Sequence, residues 1–117
     1  MASEIWLTDG VVRVLTGSTK QSLAQAVDVG AFDQLDLLLW VNGFEGTPGN
    51  LTVEVITGMS MDSEDGWWTL GSFTATSAVN TVEKKTFTGL LRYVRWKTTL
   101  VTATSAMFNV RGMARNN

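Results

Sequence analysis

Strict two-residue alternation of apolar and polar side chains is the feature that most constrains the fold of this chain. In the segment LTVEVIT (51–57), Leu51, Val53 and Val55 are separated by single polar residues. Successive side chains of a strand point to opposite faces of a sheet, whereas a helix repeats every 3.6 residues. The pattern therefore predicts a strand with one buried face and one solvated face.

The segment AFDQLDLLLWVNGF (31–44) predicts the strongest strand of the chain. One face is purely aliphatic and consists of Leu35, Leu37, Leu39 and Val41. The other face carries Asp36, Leu38 and Trp40. We expect both faces of this strand to be partly covered.

Similar runs recur about every ten residues and end in clusters of Gly, Asn, Asp or Ser, as strands of small β-domains do. Further strands are predicted over 11–16, 24–29, 67–76, 81–89, 90–101 and 105–115. Polar connections are predicted over 17–22, 45–50 and 58–66, and only 22–27 resembles a helical turn. We therefore predict an all-β protein, a jelly-roll-like antiparallel β-sandwich. It forms a single domain over 11–117, with residues 1–10 as an N-terminal arm or a first strand.

The absence of cysteine and histidine from the 117 residues restricts the chemistry that this chain can perform. No disulfide, thiol nucleophile or zinc–thiolate site can form, and no Ser–His or Cys–His catalytic pair is available. The formal net charge of −2 argues against nucleic-acid binding. We expect no enzymatic activity, no catalytic residues, no cofactor and no bound metal.

Nothing in the sequence predicts export or insertion into a membrane. The N-terminal segment MASEIWLTDG lacks the basic and then apolar layout of a signal peptide. The densest apolar run, LDLLLWV, is far shorter than the ~20 residues of a membrane-spanning helix. We expect a soluble protein made in the cytoplasm.

The segment MDSEDGWW (61–68) admits three interpretations. Asp62, Glu64 and Asp65 could bind Ca²⁺ through their carboxylates. One of the two tryptophans could stack on a sugar. The dipeptide Asp65-Gly66 is a strong turn signal, and the interpretation as a hairpin turn is favoured. Trp67 and Trp68 should then point to opposite faces, one into the core and one outward.

Two other groups of charged residues were considered as sites. Asp28, Asp33 and Asp36 are close in sequence and could supply a carboxylate pair, but no second motif converges on them. The last third of the chain is basic and includes Tyr93 and Trp96. Alternation separates its aromatic and basic side chains onto two faces, so salt links are the favoured use.

A family resemblance is carried by two long stretches of the chain. They are FDQLDLLLWVNGFEGTPGNLTVEVITGMSMDSEDGWWTLGSFTAT (32–76) and TFTGLLRYVRWKTTLVTATSAMFNVRGMAR (86–115). Their order of strands, loops and turns resembles that of small β-sandwich virion proteins of tailed bacteriophages, of the head-decoration or accessory capsid type. Carbohydrate-binding and discoidin-like modules share this architecture.

The resemblance implies a non-enzymatic capsid decoration protein that cements the capsid lattice in the virion. Its expected partners are the major capsid protein and further copies of the chain, with a trimer as the leading form, and neither nucleic acid nor a membrane. Trp6, Trp67 and Arg95 are the expected interface residues. The alternatives are a carbohydrate-binding module with an exposed Trp67 or Trp68, and a component of the phage tail or baseplate.

Overall fold

The computed structural model describes residues 2–47 and 49–116, and their regular structure consists almost entirely of strands. The strands are β1 (Ala2–Trp6), β2 (Val12–Lys20), β3 (Val27–Asp28), β4 (Gln34–Glu45), β5 (Asn50–Gly58), β6 (Trp68–Ser72), β7 (Val82–Thr88) and β8 (Tyr93–Arg115). A single 3₁₀ turn, Leu23–Gln25, is the one helical element among these residues. No helix in the described part of the chain could cross a membrane.

Strand β8 is the central strand of the sheet. One of its edges pairs in antiparallel fashion with β1, β2 and β3 in succession. The other edge pairs with β4 and then with β5, also antiparallel. Strand β7 adds to β4 and strand β6 adds to β5. All eight strands therefore belong to one antiparallel sheet.

This sheet folds over on itself halfway along β8. Trp96 and Phe108 lie twelve residues apart on the strand, which would separate them by about 40 Å in an extended chain. Their ring centroids are instead 5.3 Å apart and the rings meet edge to face. The two halves of β8 therefore lie in opposite layers, with the bend at Thr102, whose φ is 77°.

The flanking strands bend at the same level as β8. Gly17 in β2, with φ of 105°, follows a shift of register, and the nearby Thr16 hydroxyl donates a hydrogen bond to the Ala103 carbonyl. On the other side, a Cβ at Gly49 would overlap the Val101 carbonyl oxygen. Glycine is required there because the backbones approach so closely.

The core lies between the two layers. The face of β4 predicted to be buried is buried, at Leu35, Leu37, Leu39 and Val41. At one side of the sandwich β6 approaches β7, where Phe73 packs on Phe87 and the Lys85 ammonium donates to the Ser72 carbonyl at 2.6 Å. The predicted all-β, antiparallel and sandwich-like single domain is confirmed.

Three local predictions differ from the structure. Residues 17–20, predicted as a connection, continue β2 because they pair with the first half of β8. The strand predicted over 24–29 is reduced to the two residues of β3, after the 3₁₀ turn. The predicted strands 90–101 and 105–115 are one bent strand. Of the N-terminal segment 1–10, residues 2–6 form β1 and Leu7 is buried in the core.

Candidate functional site

The outward-facing side of the layer formed by β1, β4 and the second half of β8 is uncovered. We call this surface the open face and define it by Trp6, Leu38, Trp40, Arg111 and Met113. These residues alternate with inward-facing core residues, so the local strand period alone turns them outward. The pairing of the strands then decides which of them become neighbours.

The register of β8 brings the side chains of the open face together. Arg111 lies directly between Trp6 on β1 and Leu38 on β4. Two residues earlier on β8, Asn109 lies opposite Trp40, which in turn lies opposite Val82 on β7. Trp6 and Trp40 therefore flank β8 on its two sides, about 10 Å apart across the strands.

The open face exposes several large apolar side chains. Trp6 is 42% exposed, Trp40 38% and Met113 41%, and Val82 and Val11 nearby are also exposed. Scattered exposed apolar residues are ordinary, whereas a contiguous group commonly marks a contact surface. Two tryptophans in such a group strengthen that interpretation because tryptophan contributes most at binding interfaces.

Arg111 is the charged group at the centre of the open face. Its guanidinium carbon lies 5.0 Å from the centroid of the Trp6 ring, a cation–π contact. The Trp6 indole N–H donates to Glu4 Oε1 at 3.1 Å, but Glu4 does not reach ion-pair distance of Arg111. Arg111 forms no ion pair with any described residue. The other four arginines each form one: Arg13 with Glu45, Arg92 with Asp28, Arg95 with Glu64 and Arg115 with Asp36.

A shallow cavity of about 240 Å³ lies between the two tryptophans of the open face. Its polar lining is an amide pair, in which Asn109 Nδ2 donates to Asn42 Oδ1 at 3.0 Å. That bond leaves the Asn42 amide N–H groups and the Asn109 carbonyl oxygen for other partners. The cavity therefore combines aromatic walls, amide donors and acceptors, and the Arg111 cation.

The opposite outer side of the sandwich is covered by the chain itself. We call it the covered face: the first half of β8 around Arg95, together with the loop 59–67 that folds over it. Arg95 is only 1% exposed. Its guanidinium lies 4.6 Å from the Trp67 ring centroid and donates to both Glu64 carboxylate oxygens at 3.0 Å.

Further contacts fix the covering loop in place. Arg95 Nε and Nη2 also donate to the Gln21 carbonyl, at 2.8 and 2.6 Å. The Trp67 indole N–H donates to the Ser63 carbonyl at 3.0 Å. Hydrogen bonding from Arg95 lowers the pKa of Glu64 below its ordinary value of 4.5, and the positive charge of Arg95 lowers it further. Glu64 is therefore ionised at neutral pH and completes the pairing of Arg95.

The three predicted interface residues occupy different environments. Trp6 lies on the open face, whereas Trp67 and Arg95 contact each other on the covered face. Arg95 is buried and its guanidinium is used within the chain. Trp68 is 71% exposed, as one of the two tryptophans was predicted to be, but Trp67 packs on the outer side of the sheet and not in the core.

The other predicted candidates are accounted for by local contacts. Among residues 2–47 and 49–116, no three Asp or Glu side chains come together as metal ligands would. Asp36 accepts hydrogen bonds from Thr86 at 2.6 Å and pairs with Arg115 at 2.8 Å. The Thr86 hydrogen bond is the main reason that the pKa of Asp36 is lowered. In the basic last third, Trp96 is buried in the core.

Sequence reasoning missed the residues that surround Trp6 on the open face. Trp40 was assigned to the correct side of β4, but neither it nor Asn42, Asn109 or Arg111 was identified as a site residue. The available signal was their shared outward parity on two strands. Their proximity depends on how β4 pairs with β8, two strands that lie some seventy residues apart in sequence. The alternation within each strand does not predict that register.

Comparison of the chain with protein-family models and with curated protein sequences finds no match to either. The geometry of the open face is therefore the main guide to the function of this chain.

Proposed function

We propose that this chain is a non-enzymatic structural protein of a tailed-bacteriophage virion, of the capsid-decoration type, which binds neighbouring virion proteins through its open face. The observation that carries the proposal is the open face itself: two half-exposed tryptophans and an arginine that forms no ion pair with any described residue, all on one sheet. The strand order and turn chemistry that resemble phage virion proteins supply the biological setting. The partners proposed are the major capsid protein and further copies of the chain, with a trimer as the leading form.

The composition of the open face favours a protein partner. Aromatic residues, methionine and arginine are enriched at protein interfaces, and the open face contains all three types. The molecule measures 41 × 28 × 20 Å, so its broad side is large enough for the ~800 Å² that each partner commonly buries. A sheet also loses little conformational freedom on binding, which favours affinity.

The use of the carboxylates supports a structural rather than a catalytic role. Asp28, Asp36, Glu45 and Glu64 each pair with an arginine. Hydrogen bonding from Ser105 and Arg13 lowers the pKa of Glu45, as similar contacts do for Asp36 and Glu64. A general acid at neutral pH needs a raised pKa, which is the opposite shift.

The test is whether the chain is present in virions. Tailed-phage particles from the strain that carries the gene are purified on a density gradient, and their heads and tails are analysed separately by mass spectrometry. We expect the chain in heads, in a constant ratio to the major capsid protein. Its presence in tails alone would favour the tail or baseplate alternative, and its absence from all particles would overturn the proposal.

Substitution of the two tryptophans links this result to the open face. Trp6→Ala and Trp40→Ala together should reduce incorporation into particles at least tenfold, because both remove large contact area. Val101→Ala is the matched control, since Val101 is exposed on the other layer. Equal incorporation of the double variant and the control would exclude the open face as the attachment surface.

Carbohydrate binding is the second candidate, and the amide-lined cavity is the observation that favours it. A sugar could stack on Trp40 while its hydroxyls bond to Asn42 and Asn109. The cavity of about 240 Å³ would hold one small ring. A glycan array followed by tryptophan-fluorescence titration tests this, with Trp40→Ala expected to abolish the response and Trp68→Ala to retain it.

A further inference from the structure

The two outer faces of the sandwich carry the same pair of side chains, an arginine stacked on a tryptophan. Arg95 contacts Trp67 at 4.6 Å, and Arg111 contacts Trp6 at 5.0 Å. The two arginines lie on the same strand, seven residues before and nine residues after the bend at Thr102. They therefore occupy similar heights on opposite layers, and one pair can be compared directly with the other.

On the covered face, the chain supplies everything that a buried arginine needs. The loop 59–67 excludes water from Arg95, and the same loop brings the carboxylate of Glu64, which accepts two hydrogen bonds from it. The Gln21 carbonyl accepts the remaining bonds. The loop 59–67 thus both buries Arg95 and neutralises its charge.

On the open face, none of the residues that the structure describes corresponds to that loop. No part of residues 2–47 or 49–116 lies over Trp6, Trp40 and Arg111, whose side chains stay exposed. No carboxylate of these residues lies within ion-pair distance of Arg111. Glu4 lines a cavity together with Arg111, but its Oε1 accepts a hydrogen bond from the Trp6 indole N–H. The Arg111 side chain is exposed, and its recorded contact is with the Trp6 ring.

A protein that binds the open face would bury Arg111. Covering Trp6, Trp40 and Met113 removes water from Arg111 as well, because the guanidinium lies between them. A desolvated cation without a partner is strongly unfavourable, whereas one that forms two hydrogen bonds to a carboxylate is tolerated. A complex at this face is therefore favoured when the partner places a carboxylate next to Arg111.

We infer that the virion protein which covers the open face presents an Asp or Glu side chain to Arg111, as Glu64 does to Arg95, and flanks it with apolar residues that pack on Trp6 and Trp40. The inference depends on the proposed function, because it concerns the partner at that same face. It specifies the chemistry of that partner, a protein segment with one carboxylate inside an apolar contact.

Zero-length cross-linking in assembled particles tests the inference. Arg111→Lys places an amine where the guanidinium was, and a carbodiimide joins an amine only to a carboxylate in direct contact with it. Particles that contain this variant are treated with the reagent, digested and analysed by mass spectrometry. We expect a cross-link from position 111 to an Asp or Glu of another virion protein.

Charge reversal provides an independent readout in the same particles. Arg111→Glu should reduce incorporation at least tenfold, because two carboxylates would then face each other. Lys97→Glu is the matched control: Lys97 lies on the opposite layer and forms no ion pair with any described residue, and the change in net charge is identical. The control should leave incorporation unchanged.

The outcomes separate the inference from the proposed function. A cross-link to another virion protein supports the inference and identifies the partner, whereas a cross-link only to a second copy of the chain overturns it and assigns the open face to contacts between copies. Particles that contain the variant but give no cross-link at position 111, or only one to Glu4 of the same chain, overturn the inference alone. Absence of the wild-type chain from particles overturns both.

Discussion

The covered face and the open face of this sandwich carry the same pair of side chains in two different environments. Both present an arginine on the outer side of β8, stacked on a tryptophan. On the covered face a loop of the same chain closes over the pair, and Arg95 becomes part of the folded structure. On the open face no segment of the described chain does so, and Arg111 stays accessible. Burial, and not the identity of the residues, is what distinguishes Arg95, which is part of the folded structure, from Arg111, which is accessible.

The largest difference between the faces should appear in stability after removal of each arginine. Arg95→Ala should lower the free energy of unfolding by about 3 kcal/mol, because it leaves the Gln21 carbonyl unpaired under the loop and opens space beneath Trp67. Arg111→Ala should change it by less than about 0.5 kcal/mol, as exposed positions usually do. Urea denaturation measures both values. Equal losses would mean that Arg95 and Arg111 are equally structural.

A second variant at Arg95 separates packing from charge. Arg95→Met keeps most of the side-chain volume but cannot bond to Glu64 or to Gln21. If the hydrogen bonds matter most, its stability should resemble that of Arg95→Ala. Recovery to the wild-type value would show that filling the space beneath the loop is sufficient.

Substitution of the tryptophans should lower the free energy of unfolding more on the covered face than on the open face, as for the arginines, but by a smaller amount. Trp67→Ala should cost about 2 kcal/mol, because the ring packs on Arg95 and anchors the loop through Ser63. Trp6→Ala should lower the free energy of unfolding by less than about 1 kcal/mol, since Trp6 is already 42% exposed. Trp68→Ala serves as the control for an exposed tryptophan. The urea midpoints of the three variants give the comparison, and a larger loss for Trp6 than for Trp67 would reverse the assignment of the faces.

The smallest expected effect is a change in the pH dependence of stability when Glu64 is replaced. Its pKa is lowered in the folded protein, so the stability that its ionised form contributes is fully present above the ordinary value of 4.5. That contribution is lost as the pH falls through the lowered pKa of the folded state. Glu64→Gln should therefore weaken the decline in stability at acidic pH. Asp36 and Glu45 have pKa shifts of the same sign and are present in both proteins, so subtracting the two urea-midpoint profiles isolates Glu64. Identical profiles would contradict its role as the partner of Arg95.

The strand pattern of this chain could be predicted because it is local. Alternation correctly identified the buried residues of β4 and the placement of Trp40 on the opposite side of that strand. The single strand β8 could not be predicted, because the Thr-rich segment 101–105 has the composition of a turn. Strand pairing continues on both sides of it, and the positive φ of Thr102 turns the strand without ending it.

The candidate site was predicted only in part, for a reason that concerns distance along the chain. Trp6 could be singled out as an apolar residue outside the main pattern, but its neighbours could not. Trp40 and Arg111 reach it through pairings of β1 and β4 with β8, across some seventy to one hundred residues. The burial of Arg95 has the same origin, since Glu64 lies thirty-one residues away.

The fold class and the direction of most side chains could be predicted from the sequence, because both follow from a two-residue period that every strand carries within itself. The absence of cysteine and histidine likewise limited the possible chemistry without reference to any structure. Only the tertiary structure decided which outward-facing residues are neighbours and which of them are covered. Those properties depend on strand register and on the packing of a loop, which are set by the free energy of contacts distributed over the whole chain.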